Sequence, residues 1–124
     1  ALRIATFNCR DLAAGSRSSA ELEQMAQVLA SYDLVALQEV RDEQGLRALA
    51  VAVQRRVGSC ATLPRPVPAG EAPELAFLWR SASVNLVDSG GVYPAPDSLF
   101  PLRPTLGHVP RWCLRLRPGQ RVRA

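Results

Sequence analysis

The chain reads as an α/β domain: one mixed β-sheet with two helices on one face. Three features predict this. Short apolar runs alternate with stretches of helical periodicity as far as Val57, giving a strand, helix, strand, helix opening. No proline precedes Pro64, and all ten lie between Pro64 and Pro118. After that break, two more apolar runs stand close together, as two antiparallel strands would.

The elements follow in order. Leu2 to Phe7 is rich in residues suited to a strand, and Asn8 stands where that strand would end. Ser18 and Glu21 have capping-box spacing, and Leu22, Met25, Ala26 and Leu29 then recur at helical intervals. Leu34 to Leu37 is an unbroken apolar run, the pattern of a strand covered on both faces, and it ends at Gln38-Glu39. A second helix is expected from Asp42 to Val57, with Leu46, Leu49, Ala50 and Val53 inward and acids in its first turn. Such a βαβα opening implies a right-handed crossover and parallel strands, so the two strand ends lie side by side. Thr62 to Pro73 reads as a loop, and Leu75–Trp79 with Ser83–Val87 as an antiparallel hairpin. Thr105 to Val109 offers one more short strand, and Arg111 to Ala124 is a tail with five arginines.

Composition narrows the function classes without choosing among them. An apolar fraction of 48% and a charged fraction of 21% over 124 residues are globular values. No apolar run approaches the roughly 18 residues of a bilayer span. The chain starts at Ala1 with no signal-peptide layout, which leaves a cytoplasmic location, or secretion after loss of a leader, both open. All 15 basic residues are arginine, for a net charge of +4. That excess suits phosphate-bearing partners, although GC-rich coding produces the same bias. Cys9, Cys60 and Cys113 are odd in number and form no C-x-x-C pair, which argues against a disulfide framework or a zinc site.

Asn8 and Glu39 are the polar residues at the ends of the two strands expected to be parallel neighbours. In open α/β sheets ligands bind at the carboxyl ends of strands. An amide and a carboxylate there are hard oxygen donors suited to Mg²⁺, which keeps several waters and is often held through one or two carboxylates plus substrate phosphate. The alternative is a turn-capping Asn8 and a solvated loop Glu39.

The strings Leu2-Arg3-Ile4-Ala5-Thr6-Phe7-Asn8 and Tyr32-Asp33-Leu34-Val35-Ala36-Leu37-Gln38-Glu39-Val40-Arg41-Asp42 resemble the opening of the endonuclease/exonuclease/phosphatase family, above all its deoxyribonuclease I-like branch. Leu75 to Arg80 and Phe100 to Pro104 are similar to its later segments, so the likeness spans residues 2 to 109. It implies residues 1–109 as the N-terminal half of a four-layer sandwich, with 110–124 an arginine-rich tail. It further implies Glu39 and Asn8 as catalytic and metal-binding residues for Mg²⁺, with Mn²⁺ or Ca²⁺ as substitutes. Arg41 and Arg103 would bind substrate, Arg41 in a DNA groove; the alternative for Arg41 is a surface pair with Asp42 or Glu43. The family's glutamate before the hairpin strand falls nearest Pro73, with Glu74 one place on.

The strings that complete the family's catalytic apparatus are missing. No Gly-Asp-x-Asn and no Ser-Asp-His occurs, and the single histidine, His108, precedes the position of the family's first catalytic His. Strands for about one sheet leave one apolar face bare, which calls for a complementing C-terminal half or a second copy. The expectation is therefore a Mg²⁺-dependent phosphodiester hydrolase, DNA endonuclease-like, weakly active or inactive alone. The alternative is a noncatalytic nucleic-acid-binding or interaction module on the same fold. The tail could bind phosphate, form a solvated end, or reflect a truncation or shifted frame.

Overall fold

The computed structural model describes residues 2–88 and the strands Val92–Pro94, His108–Pro110 and Cys113–Leu116. Two compact units divide the chain. The larger holds the four-stranded sheet and both helices; the smaller spans Leu86–Arg115.

In the larger unit the order is β1 (Ile4–Leu12), α1 (Ser19–Leu29), β2 (Leu34–Val40), α2 (Glu43–Val57), β3 (Ala61–Pro64) and β4 (Glu74–Trp79). The sheet runs β1-β2-β4-β3 and is mixed, as expected. β1 and β2 are parallel, Ile4 opposite Leu34 through Asn8 opposite Gln38. β4 runs antiparallel to β2, with Val35 opposite Leu78, and antiparallel to β3, with Leu63 opposite Phe77.

Period-two alternation sets the sheet's buried face. Val35 and Leu37 on β2 and Ala76 and Leu78 on β4 are fully buried and join one core with Ala26 and Leu29 of α1 and Leu46, Leu49, Ala52 and Val53 of α2. Both helices therefore cover the same side. The capping box forms as the spacing predicts: the Ser18 hydroxyl accepts from the Glu21 amide at 3.2 Å, and Glu21 accepts from the Ser18 amide at 3.3 Å. On α2 the inner stripe differs by one position. Ala52 is buried where Ala50 was expected, and Ala50 is only half-buried, because α2 packs on α1 as well as on the sheet.

Three expectations change. The loop from Thr62 to Pro73 begins as a strand, since β3 runs Ala61–Pro64; a proline is tolerated there because β3 is a terminal strand. The hairpin of Leu75–Trp79 with Ser83–Val87 does not form. β4 is already paired on both sides, by β2 and β3, which leaves no free ladder for β5 (Val84–Asp88), and the chain turns away after Arg80, where the Ser83 amide donates to the Arg80 carbonyl at 3.0 Å. β1 also continues past Asn8 to Leu12.

In the smaller unit β6 (Val92–Pro94) pairs antiparallel with β7 (His108–Pro110), Tyr93 opposite Val109. This places a strand at the end of the predicted Thr105–Val109 segment. A further strand, β8 (Cys113–Leu116), lies within the arginine-rich tail. Arg103 falls outside the described residues. Among the described residues, no helix is long and apolar enough to cross a membrane.

Candidate functional site

The parallel pair β1 and β2 carries Asn8 and Glu39 to one rim, and there the ladder breaks. Between the pairs Asn8–Gln38 and Leu12–Val40, three β1 residues, Cys9, Arg10 and Asp11, stand against the single Glu39. On the other side of β2, Gln38 pairs with Leu75 and Val40 with Glu74, so Glu39 is itself the extra residue against β4. Back-to-back bulges of this kind re-aim side chains at a sheet's end.

The backbone records the cost. Four non-glycine residues among those described have positive φ: Arg10 at 51°, Asp11 at 60°, Glu39 at 58° and Glu74 at 65°. All four belong to this rim. Each such residue costs on the order of 1–3 kcal/mol and persists where the surroundings over-determine it, a pattern that clusters at functional sites.

Side chains then tie the bulges together. The Asn8 Oδ1 accepts from the Arg10 amide at 2.8 Å, so Asn8 does close a turn. Glu39 lies within β2 rather than in a loop; it is partly buried, and its Oε2 accepts from the Asp11 amide at 3.2 Å at the exposed end of the sheet. Both side chains are thus bonded into the same excursion of β1.

Arg41 is paired, though with neither Asp42 nor Glu43. Its Nε donates to Asp11 Oδ1 at 2.6 Å, its Nη1 to Glu74 Oε1, and its backbone amide to the Leu12 carbonyl at 2.7 Å. The hydrogen bond to Asp11 and the nearby carboxylates hold its pKa above the ordinary arginine value. The guanidinium therefore bridges β1 and β4 across the end of β2. Asp11 and the ion-pairing of Glu74 escaped the sequence reading, because partners about 30 positions away leave no local pattern.

Asp42 anchors the rim from below. It caps α2 by accepting from the Gly45 amide at 2.7 Å, and it also accepts from the Ala14 amide at 3.0 Å, joining the end of β1 to the start of α2. Next to Arg41, a cleft of about 320 Å³ opens between the start of α2 and the proline-rich segment, lined by Asp42, Glu43, Pro68, Gly70 and Glu71 among others. Its three acids against one arginine favour cations over a bare phosphate.

Below the surface, burial pushes the Cys9 thiol up to about 11 from 9.0; nearby Arg17 acts against this and Glu39 with it. Burial likewise pushes Cys60 up to about 11. Both thiols stay neutral in the folded chain where unfolded ones would ionise. The stability they lend is full below pH 9 and is lost as pH rises through about 11. Urea denaturation across that window is expected to show falling stability, with a flatter slope in the Cys9→Ala/Cys60→Ala double variant; equal slopes would refute this.

Among the described residues, no group of three or more His, Cys, Asp or Glu side chains is arranged to hold a metal ion. The donors at the rim, one carboxylate on Glu39 and one amide oxygen on Asn8, suit a magnesium-type ion that keeps most of its waters, and they do not suit an all-protein cage.

No protein-family model matches the chain, and no curated protein matches it. Among solved structures it is similar to humanized D. rerio TDP2 carrying 14 mutations, at 18% identity and a TM-score of 0.47 over 72% of this chain and 33% of that one. The chain thus spans about a third of the length of that structure.

Proposed function

We propose that the chain is the N-terminal half of a Mg²⁺-dependent phosphodiester hydrolase acting on DNA or a related phosphate ester. The observation that carries this reading is the concentration of the strained non-glycine residues on the rim where the two family-like strings put Asn8 and Glu39. A fold holds several residues in disfavoured conformations at one place when that geometry serves something besides stability.

In this reading Glu39 and Asn8 hold the ion, and Arg41 and Arg103 meet substrate phosphate. When bound, Mg²⁺ supplies charge stabilisation on the phosphate oxygens. The chain's own residues fix the geometry: the Asp11 amide orients the Glu39 carboxylate, and the Arg10 amide orients the Asn8 side-chain oxygen. A phosphate meeting Arg41 competes with the Asp11 and Glu74 carboxylates for its guanidinium. A base to activate water is not supplied by these residues, so hydrolysis requires a second half.

One observation favours the noncatalytic alternative, namely that Arg41 is held by two carboxylates. Adding a C-terminal segment containing Gly-Asp-x-Asn and Ser-Asp-His separates the readings. Hydrolysis of DNA or a nitrophenyl phosphodiester is expected only with that segment and Mg²⁺ together. Salt-sensitive DNA binding with no turnover under those conditions would refute the enzyme reading in favour of a binding module.

A further inference from the structure

The excursion of β1 at the rim poses a hydrogen-bonding problem. Because Cys9, Arg10 and Asp11 step out of register with β2, the carbonyls of Cys9 and Arg10 need partners from elsewhere. One side chain provides them. Arg17, just ahead of α1, donates through Nη2 to the Cys9 carbonyl at 2.8 Å and to the Arg10 carbonyl, and through Nη1 to the Ser16 carbonyl at 3.1 Å. Its side chain is only 20% exposed, and its Nε lies 4.0 Å from Glu21 Oε2, within the capping box of α1.

The two bonded carbonyls sit inside the segment that presents the site. Asn8 directly precedes it, the Arg10 amide holds the Asn8 oxygen, and the Asp11 amide holds Glu39. Arg10 and Asp11 have positive φ, so the segment would relax toward ordinary strand geometry if released. The planar guanidinium fork is suited to this task, since one rigid group serves neighbouring acceptors at little cost in side-chain freedom.

We propose that Arg17 is a positioning residue: by clamping the Cys9 and Arg10 carbonyls it keeps Asn8 and Glu39 oriented together, and thereby sets the affinity of the rim for a divalent cation. This rests on the metal-dependent reading above. It carries a distinctive sign. Arg17 is itself a cation, so removing it on electrostatic grounds alone would tighten Mg²⁺ binding, whereas loss of positioning weakens it.

The test is Mg²⁺ titration of the 124-residue chain, followed by amide chemical shifts of residues 8–12 and 39, at a temperature where circular dichroism shows each variant folded. Arg17→Met is expected to weaken Mg²⁺ affinity by about 10-fold or more, the scale seen when groups supporting a metal's ligands are removed. Arg17→Lys, which keeps the charge and can donate but lacks the fork, is expected to fall between Met and the native chain. If Arg17→Met does not fold, Arg17→Gln decides the matter, since it keeps a donor but shortens the reach to the Cys9 and Arg10 carbonyls, and native affinity in a folded Arg17→Gln then overturns the proposal. Unchanged or tighter binding in Arg17→Met, while Glu39→Gln still abolishes binding, overturns the role of Arg17 and leaves the function reading intact. Absence of Mg²⁺ binding by the native chain overturns both.

Discussion

Glu39→Gln is expected to remove Mg²⁺ binding from the chain while leaving its fold in place. The substitution keeps the shape and one side-chain oxygen, so the hydrogen bond from the Asp11 amide to Oε2 can be replaced by one to the amide oxygen. What disappears is the negative charge. A unit charge pair about 4 Å apart is worth roughly 4 kcal/mol at an effective dielectric of about 20, and a divalent ion doubles the charge product. With each ~1.4 kcal/mol a factor of ten, even a strongly screened fraction of that removes two or more orders of magnitude in affinity. Calorimetric or chemical-shift titration with Mg²⁺ and Mn²⁺ would check the outcome. Native-like affinity in a folded Glu39→Gln variant would remove the metal assignment and with it the hydrolase reading.

The second large effect is expected at Gly45, in the first turn of α2. A Cβ built there would meet the backbone of Ala13 at 2.8 to 3.0 Å, and backbone cannot swing aside as a flexible side chain can. Gly45→Val should therefore push α2 away from the end of β1 and break the paired acceptance by Asp42 of the Ala14 and Gly45 amides. Overpacking of this kind costs about 1–3 kcal/mol, and loss of a cap about 1 kcal/mol more. Any gain in helix propensity over glycine is smaller than about 1 kcal/mol. A net destabilisation of about 2–4 kcal/mol is expected from urea midpoints. A variant as stable as the native chain would show that α2 does not need this close approach.

What could be read from residues alone follows a physical division. α1 was legible to its cap because Ser18, Glu21, Leu22, Met25, Ala26 and Leu29 all act within one or two turns. β2 was legible as a strand because its residues form a short apolar run, although only one face, that of Val35 and Leu37, is fully buried, and Leu34 and Ala36 on the other are partly exposed rather than covered as expected. The neighbouring placement of Asn8 and Glu39 came from chain topology, since a right-handed crossover puts two parallel strand ends together. The rim's inner construction did not come through. Arg10, Asp11, Glu39 and Glu74 show no preference that announces positive φ, which sequence reading normally assigns to glycine. Nor does a four-residue strand closing on Pro64 differ from a proline-rich loop until β4 is present to pair with it. The ion pairs of Arg41 were not legible either, because its partners, Asp11 and Glu74, lie on two other strands and only folding introduces them.

The two terminal strands of the sheet also bear on how the chain behaves in company. β3 is short and closes on a residue with no N–H to offer, while β1 abandons regular pairing geometry over its last third. Over β3 and the last third of β1, the margins lack the long, flat row of donors and acceptors on which a foreign strand could template itself. Strand addition is thereby discouraged along β3 and beyond Asn8 on β1, where the strained turn departs from the geometry a foreign strand would copy.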